Sequence, residues 1–336
     1  MLGGPREGDI ESGSGPTTHH ISTLQHLLRA AHSSDVEQQE QAARQLSSLV
    51  ETTVFPAVSF GPLVHALTRL IPSEHHGVVC FSSRAVKTLL LDDALRPQAV
   101  AAKIPAVLVT ALARWKDEPH ICRELLGGLQ TLLWDRSSAG AVIDAGITPL
   151  LVTCLASRNY EVAILALSTL ANLLAYSDSL VLANKMVVQQ LASCQHSLLD
   201  LSKSQDKFTR VYAVAALANG TAHPVIAGKI TELGGDESLR IVESQNKANL
   251  SLGGTRVAEC AETAVLRLNG SKDPAIALRK YRYKFGNKTM MELALDSETH
   301  RNRLQVCFVL WVLSIVLLFY PLVFSHRSLP RVPAAP

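Results

Sequence analysis

Apolar residues recur at helical spacing through most of this chain, and the recurrence is densest between Ile121 and Ala175. Three segments carry it: Ile121–Trp134, Ala141–Leu155 and Glu161–Leu174. The middle segment divides at Asp144-Ala-Gly146, where glycine permits a sharp turn with positive φ. Pro149 then falls in the first turn of the next helix, where its missing N–H is not needed. The unit predicted is therefore a short helix, a medium one set at an angle to it, and a long one. In the long helix Val162, Leu165, Leu167, Leu170, Leu173 and Leu174 make two faces apolar, which describes a helix packed between neighbours. Such a unit cannot bury itself alone.

The same pattern extends in both directions. Residues 1–18 are rich in Gly, Ser, Pro and Thr and lack the apolar area to offset chain entropy, so a disordered tail is expected there. Ile21, Leu24, Leu27, Leu28 and Ala31 describe an amphipathic capping helix within 19–36. Ala42, Ala43, Leu46, Leu49 and Val50 then mark a first long helix. If Leu49, Leu89, Leu132, Leu170, Leu217 and Leu266 are equivalent, the steps between them are 40, 43, 38, 47 and 49 residues. About six units over 37–270 result, with a period near the ~40–47 residues of helical repeats. Residues 221–255 hold Gly228, Gly234, Gly235, Gly253 and Gly254 and lack clean periodicity, which reads as a degraded unit or an inserted loop.

The run Ala141-Val-Ile-Asp-Ala-Gly-Ile-Thr-Pro-Leu-Leu-Val152, followed by Ala166-Leu-Ser-Thr-Leu-Ala-Asn-Leu173, resembles the armadillo repeat. The resemblance implies an all-α, armadillo-like solenoid whose third helices line a concave groove. Asn172 and Asn219, each in a Leu-Ala-Asn context, match the family asparagine that pairs its amide with the main chain of an extended peptide. An amide offers both a donor and an acceptor, so such pairing is independent of the peptide's side chains. A local hydrogen bond within the repeats is the alternative role. One turn earlier, where nuclear-import members of the family carry tryptophan, this chain has Ser168 and Ala215, which argues against nuclear-signal peptides as ligands.

Composition narrows the classes. Aromatics at 5% suit stacked helices better than a β-sandwich, and a net charge of +3 over 336 residues is too small to argue for a nucleic-acid partner. The six cysteines show no Cys-x-x-Cys pair and mostly fall in apolar stretches, which predicts buried reduced thiols. No phosphate-cradling glycine loop, His-Glu-x-x-His or Gly-x-Ser-x-Gly occurs. His19-His20 and His75-His76 are adjacent pairs, which do not share one helical face as metal ligands would. Asp92-Asp93 reads as a solvated helix end. Neither enzyme, metal nor cofactor is expected.

After Gly270 the composition shifts to a basic segment, 271–303, in which Arg279, Lys280, Arg282, Lys284, Lys288, Arg301 and Arg303 are interleaved with Tyr281, Tyr283 and Phe285. It leads to Val306–Phe324, nineteen residues without a charge, which at ~1.5 Å per residue can cross a ~30 Å hydrocarbon core. Residues 304–324 are thus expected to form a tail anchor, followed by a short tail, 325–336, holding Arg327 and Arg331. A buried solenoid helix is the alternative. The excess of basic residues before the span places the repeats on the cytosolic side. Basic residues on both sides and Pro321 lean towards the mitochondrial outer membrane over the endoplasmic reticulum. The acceptor patterns at Asn219, Asn249, Asn269 and Asn287 are expected to be coincidental in the absence of a signal peptide. Tyr281, Tyr283 and Phe285 pack either beside lipid or on the last repeat.

The function expected from all this is a membrane-anchored scaffold whose groove recruits a cytosolic protein or extended peptide to an organelle surface. Tethering or organelle shaping through self-association of the solenoid is the alternative.

Overall fold

A computed structural model describes residues 16–52, 57–134, 136–176, 184–248 and 252–282. Among these residues every regular element is helical. The first helix, α1 (Pro16–Ala30), starts inside the stretch assigned to the tail and places Leu24 and Leu27 against the end of the stack. Next come α2 (Val36–Thr52), α3 (Ala57–Leu70) and α4 (His76–Leu89). From there the chain repeats a three-helix unit: α5 (Arg96–Ala101), α6 (Ile104–Trp115), α7 (Pro119–Leu132); α8 (Arg136–Asp144), α9 (Ile147–Leu155), α10 (Tyr160–Leu174); α11 (Lys185–Ser193), α12 (Gln195–Leu201), α13 (Lys207–Gly220); and α14 (Pro224–Glu232), α15 (Gly235–Lys247), α16 (Leu252–Leu268). A final short helix, α17, covers Pro274–Leu278.

The last helix of each unit packs on its equivalent in the next, so α2, α4, α7, α10, α13 and α16 form one continuous row. These are the six long helices that the sequence period demands. Their inner position explains their composition. All of Val162, Leu165, Leu167, Leu170, Leu173 and Leu174 are buried, on both faces of α10, and each buried leucine contributes about 1.5–3 kcal/mol relative to exposure.

Within a unit the first two helices meet at a sharp joint. The axes of α8 and α9 diverge by 84°, and those of the 93–101 segment and α6 by 79°. The backbone reverses through a left-handed residue at three such joints: Lys103 (φ 61°), Gly146 (φ 87°) and Gly234 (φ 70°). Gly146 and Gly234 adopt this conformation freely, whereas a side chain with a Cβ is strained in it. The starts of α10 and α13 are also written in the sequence. Asn159 accepts from the Val162 amide at 3.1 Å to cap α10, and Asp206 accepts from the Thr209 amide at 2.7 Å to cap α13. Tyr160 Oη donates to Asp206 at 3.0 Å and so joins the two caps.

Two expectations are corrected. Residues 221–248 hold neither a degraded unit nor an inserted loop. They form the regular pair α14–α15, because Gly234 is the joint glycine equivalent to Gly146. The register of the repeat also differs. Leu132 and Leu266 are not the equivalents of Leu170 and Leu217; hydrogen bonds between successive long helices assign those places to Leu129 and Val265, as shown below.

The five described cysteines, Cys80, Cys122, Cys154, Cys194 and Cys260, are free and buried. Cys122 and Cys154 lie in adjacent units with their sulfurs 4.0 Å apart. Asp92 and Asp93 are exposed just after α4. Asp92 caps a short 3-10 turn at 2.9 Å, and Asp93 pairs with the buried guanidinium of Arg96. No group of three His, Cys, Asp or Glu suited to a metal ion occurs among the described residues.

Candidate functional site

The row of long helices is laced by one recurring side-chain contact. Asn172 Nδ2 of α10 donates to the Gln130 carbonyl of α7 at 3.4 Å. Asn219 Nδ2 of α13 donates to the Ala171 carbonyl of α10 at 2.8 Å. Arg267 of α16 donates to the Ala218 carbonyl of α13 at 2.7 Å. Each acceptor belongs to the residue just before the equivalent position one unit earlier. Thr131, Asn172, Asn219 and Arg267 therefore occupy the same place in four consecutive units. Arg267 stands where the two units before it have asparagine, a substitution that conceals the position from a search for Leu-Ala-Asn.

Both asparagines are almost entirely buried. Asn219 does more than join two helices. Its Nδ2 also donates to the carbonyl of Tyr281 at 2.7 Å, and its Oδ1 accepts from the Tyr281 amide at 3.0 Å. One side-chain amide thus satisfies both main-chain groups of a single residue, the pairing that an amide's joint donor and acceptor allow.

The residue so held belongs to a strap that follows α17. At Leu278 the helix ends, Arg279 turns extended (φ −63°, ψ 127°), and the chain crosses the row of long helices. Arg267 accepts this crossing at its start, donating to the carbonyls of Ile276 at 2.8 Å, Ala277 at 3.1 Å and Arg279 at 2.5 Å. Arg279 reaches Thr263 Oγ1 at 3.2 Å and Glu262 at 3.8 Å. Tyr281 is 3% exposed. Its phenol oxygen shares a 2.8 Å hydrogen bond with Thr263 and donates to the Glu259 carbonyl at 3.3 Å, and its ring lies 5.4 Å from the Arg256 guanidinium. Burial pushes that phenol up to about 12. Arg282 continues onto the neighbouring units, stacked 4.6 Å over the Tyr176 ring and donating to the Trp134 carbonyl at 3.2 Å. The strap therefore runs from α16 over α13 towards the ends of α10 and α7. Alternate side chains face inward at Arg279 and Tyr281, while Lys280 is exposed.

A second polar feature ties the row further forward. Glu124 of α7, 1% exposed, pairs with Lys87, with Arg84 at 3.4 Å and with Arg123 at 3.1 Å; Arg123 goes on to Glu161 of α10 at 3.4 Å. Burial alone would raise the Glu124 carboxyl, but the hydrogen bond and charge of Lys87, aided by Arg84 and Arg123, hold it below the ordinary range.

The residues singled out in the sequence thus fall into three groups. Asn172 and Asn219 lie on the recurring position. Arg279, Lys280 and Arg282 belong to the strap; of the two packing modes open to Tyr281, the one observed is on the last repeats. Lys284, Lys288, Arg301, Arg303, Arg327, Arg331, Tyr283, Phe285 and the apolar run within 304–324 lie outside the described residues. Among the described residues no single helix is long and apolar enough to cross a membrane. Ser168, at the place where import receptors carry tryptophan, accepts from Gln130 Nε2 at 2.7 Å, and Ala215 is buried in the row. Of the four acceptor asparagines, Asn219 is buried and Asn269 donates to Asp236 at 3.2 Å.

Comparison with known proteins agrees with this geometry. Residues 138–175, which span α8 to α10, match the armadillo/beta-catenin-like repeat. Among solved structures, an engineered protein from a structural genomics consortium shares 23% identity, with a TM-score of 0.61 and coverage of 74% of this chain and 97% of the other. A designed armadillo repeat protein shares 20% identity, with a TM-score of 0.60 over 73% of this chain and all of the other. A further designed armadillo repeat protein, solved in complex with the peptide (KR)4, shares 18% identity, with a TM-score of 0.58 over 72% and 99%. No curated protein matches the chain in sequence. The fold is that of an armadillo solenoid, and the unit α8–α10 is similar in sequence to an armadillo repeat.

Proposed function

We propose that this protein is a binding scaffold whose row of long helices receives an extended peptide. The observation that carries the reading is the two-way amide contact of Asn219 with the main chain of Tyr281. This contact of Asn219 with an extended segment of its own chain supports the reading, as does a designed armadillo protein of the same fold solved in complex with a peptide. The absence of catalytic motifs in the sequence leaves recognition as the chemistry for which the row is equipped.

The scaffold is further proposed to act at a membrane, through a spanning helix within 304–324, with the solenoid on the cytosolic side and the mitochondrial outer membrane ahead of the endoplasmic reticulum as its destination. The support is the uncharged run Val306–Phe324 and the basic residues around it. Tethering by self-association of the solenoid is the second reading. Proximity labelling in cells tests the scaffold: Asn172→Ala with Asn219→Ala should empty the labelled set of the groove's partners, and an unchanged set would refute the reading. Comparing fluorescent fusions with and without residues 304–336 tests the anchor, because the same diffuse distribution of both would remove it.

A further inference from the structure

The strap has the features of a ligand more than those of a core element. Of its four residues only Tyr281 is buried; Arg279 and Arg282 are part-exposed and Lys280 is exposed. Its hold consists of main-chain pairing to Asn219 and Arg267, the Arg279 guanidinium on Thr263 and Glu262, one aromatic side chain against α16, and one guanidinium over Tyr176. Main-chain pairing is blind to sequence, and the Arg279–Glu262 pair is 3.8 Å long and part-exposed, so the specificity rests chiefly in the Tyr281 and Arg282 subsites. A pocket bounded by Arg256, Glu259 and Thr263 accepts an aromatic ring with a hydroxyl. The carbonyl of Trp134 and the ring of Tyr176 accept a planar cation on the following residue, a geometry in which arginine is favoured by stacking and directed N–H donors.

We infer that residues 279–282 stand in for the external peptide that this row receives, and that such a peptide is an extended segment with tyrosine followed directly by arginine, running from α16 towards α7. The inference rests on the scaffold reading and adds to it the ligand's chemistry and a built-in competitor. Because α17 tethers the strap within a few residues of its site, its effective concentration is on the order of millimolar, so a free peptide of ~10 μM intrinsic affinity is weakened about 100-fold. The row in the intact chain is therefore self-covered, and a partner gains access by displacing its own tail-proximal segment.

The test is fluorescence anisotropy with a labelled octapeptide corresponding to residues 277–284, added to the full chain. Wild type is compared with Tyr281→Ala and with Arg279→Ser/Arg282→Ser, the second of which leaves the buried ring in place and so protects the test against a folding defect. Both strap variants should bind the probe at least tenfold more tightly than wild type. Adding Asn219→Ala should abolish the gain, and a probe with alanine in place of its first tyrosine should not bind. Equal affinity for wild type and both strap variants would overturn the competitor while leaving a peptide-binding row. Absence of binding by every variant would overturn the row itself. A wild-type dimer that becomes a monomer in Arg279→Ser/Arg282→Ser would overturn the placement within one chain and assign the strap to a second copy.

Discussion

The amide of Asn219 bonds to both the N–H and the C=O of Tyr281, at 3.0 and 2.7 Å, while also holding the Ala171 carbonyl at 2.8 Å. One buried side chain therefore joins three pieces of main chain: its own helix, the preceding long helix and the strap.

Removal of that amide should be felt in two places. Asn219→Ala takes the partner from the Tyr281 carbonyl and N–H, while the Ala171 carbonyl keeps the Ala175 amide at 3.1 Å, and is expected to cost about 1–3 kcal/mol, which for a chain of this size lowers the melting temperature by several degrees. The more specific readout is limited trypsin digestion. Cleavage after Arg279, Lys280 and Arg282 should be much faster in the variant than in wild type, with the solenoid helices still resistant.

Glu124 governs the acid side of stability. Its folded pKa is depressed, so its contribution is complete above the ordinary carboxylate range and is lost as pH falls through the lower folded value. Glu124→Gln should cost about 3 kcal/mol at neutral pH, the low end for a broken buried pair, because Arg84 and Arg123 keep about a third of their surface in water. Chemical unfolding at several pH values checks it. Wild type should lose more stability than the variant as pH falls through and below the ordinary carboxylate range.

The left-handed joints give a matched pair. Nothing lies within 4 Å of a Cβ added at Gly146, so Gly146→Ala isolates backbone strain and should destabilise by about 1 kcal/mol. Lys103, at φ 61°, already bears that strain, and Lys103→Gly should raise stability by up to about 1 kcal/mol. Opposite shifts in thermal melting are the expected outcome.

Thiol chemistry offers an independent check on burial. The described cysteines are buried. Burial pushes the Cys194 thiol up to about 12 and raises Cys260 further, and Cys122 is raised chiefly by its hydrogen bond to Cys154. With Cys307 replaced by serine, the native chain should react with Ellman's reagent only on unfolding.

Much of this fold was legible in the residues. The period of apolar positions identifies the long helices, Gly146 and Pro149 identify a joint, and Leu-Ala-Asn identifies two places of the recurring contact. The remainder was hidden for physical reasons. Gly234 is one of several glycines between 221 and 255, and nothing in a glycine's identity says which of them must take positive φ. Arg267 replaces asparagine and so breaks the pattern that its position obeys; a comparison of Ala264-Val-Leu-Arg267 with Ala216-Leu-Ala-Asn219 is the signal that could have revealed it. The strap was hardest to see, because main-chain pairing leaves no trace in side-chain identity, and Arg-Lys-Tyr-Arg reads equally well as the flank of a membrane span.

The most direct measurement is hydrogen–deuterium exchange at the Tyr281 amide in the full chain. If the row grips an extended main chain through Asn219, that amide is protected in wild type and exchanges near its intrinsic rate in Asn219→Ala, with the amides of α13 unchanged. An unprotected Tyr281 amide in wild type would contradict the account.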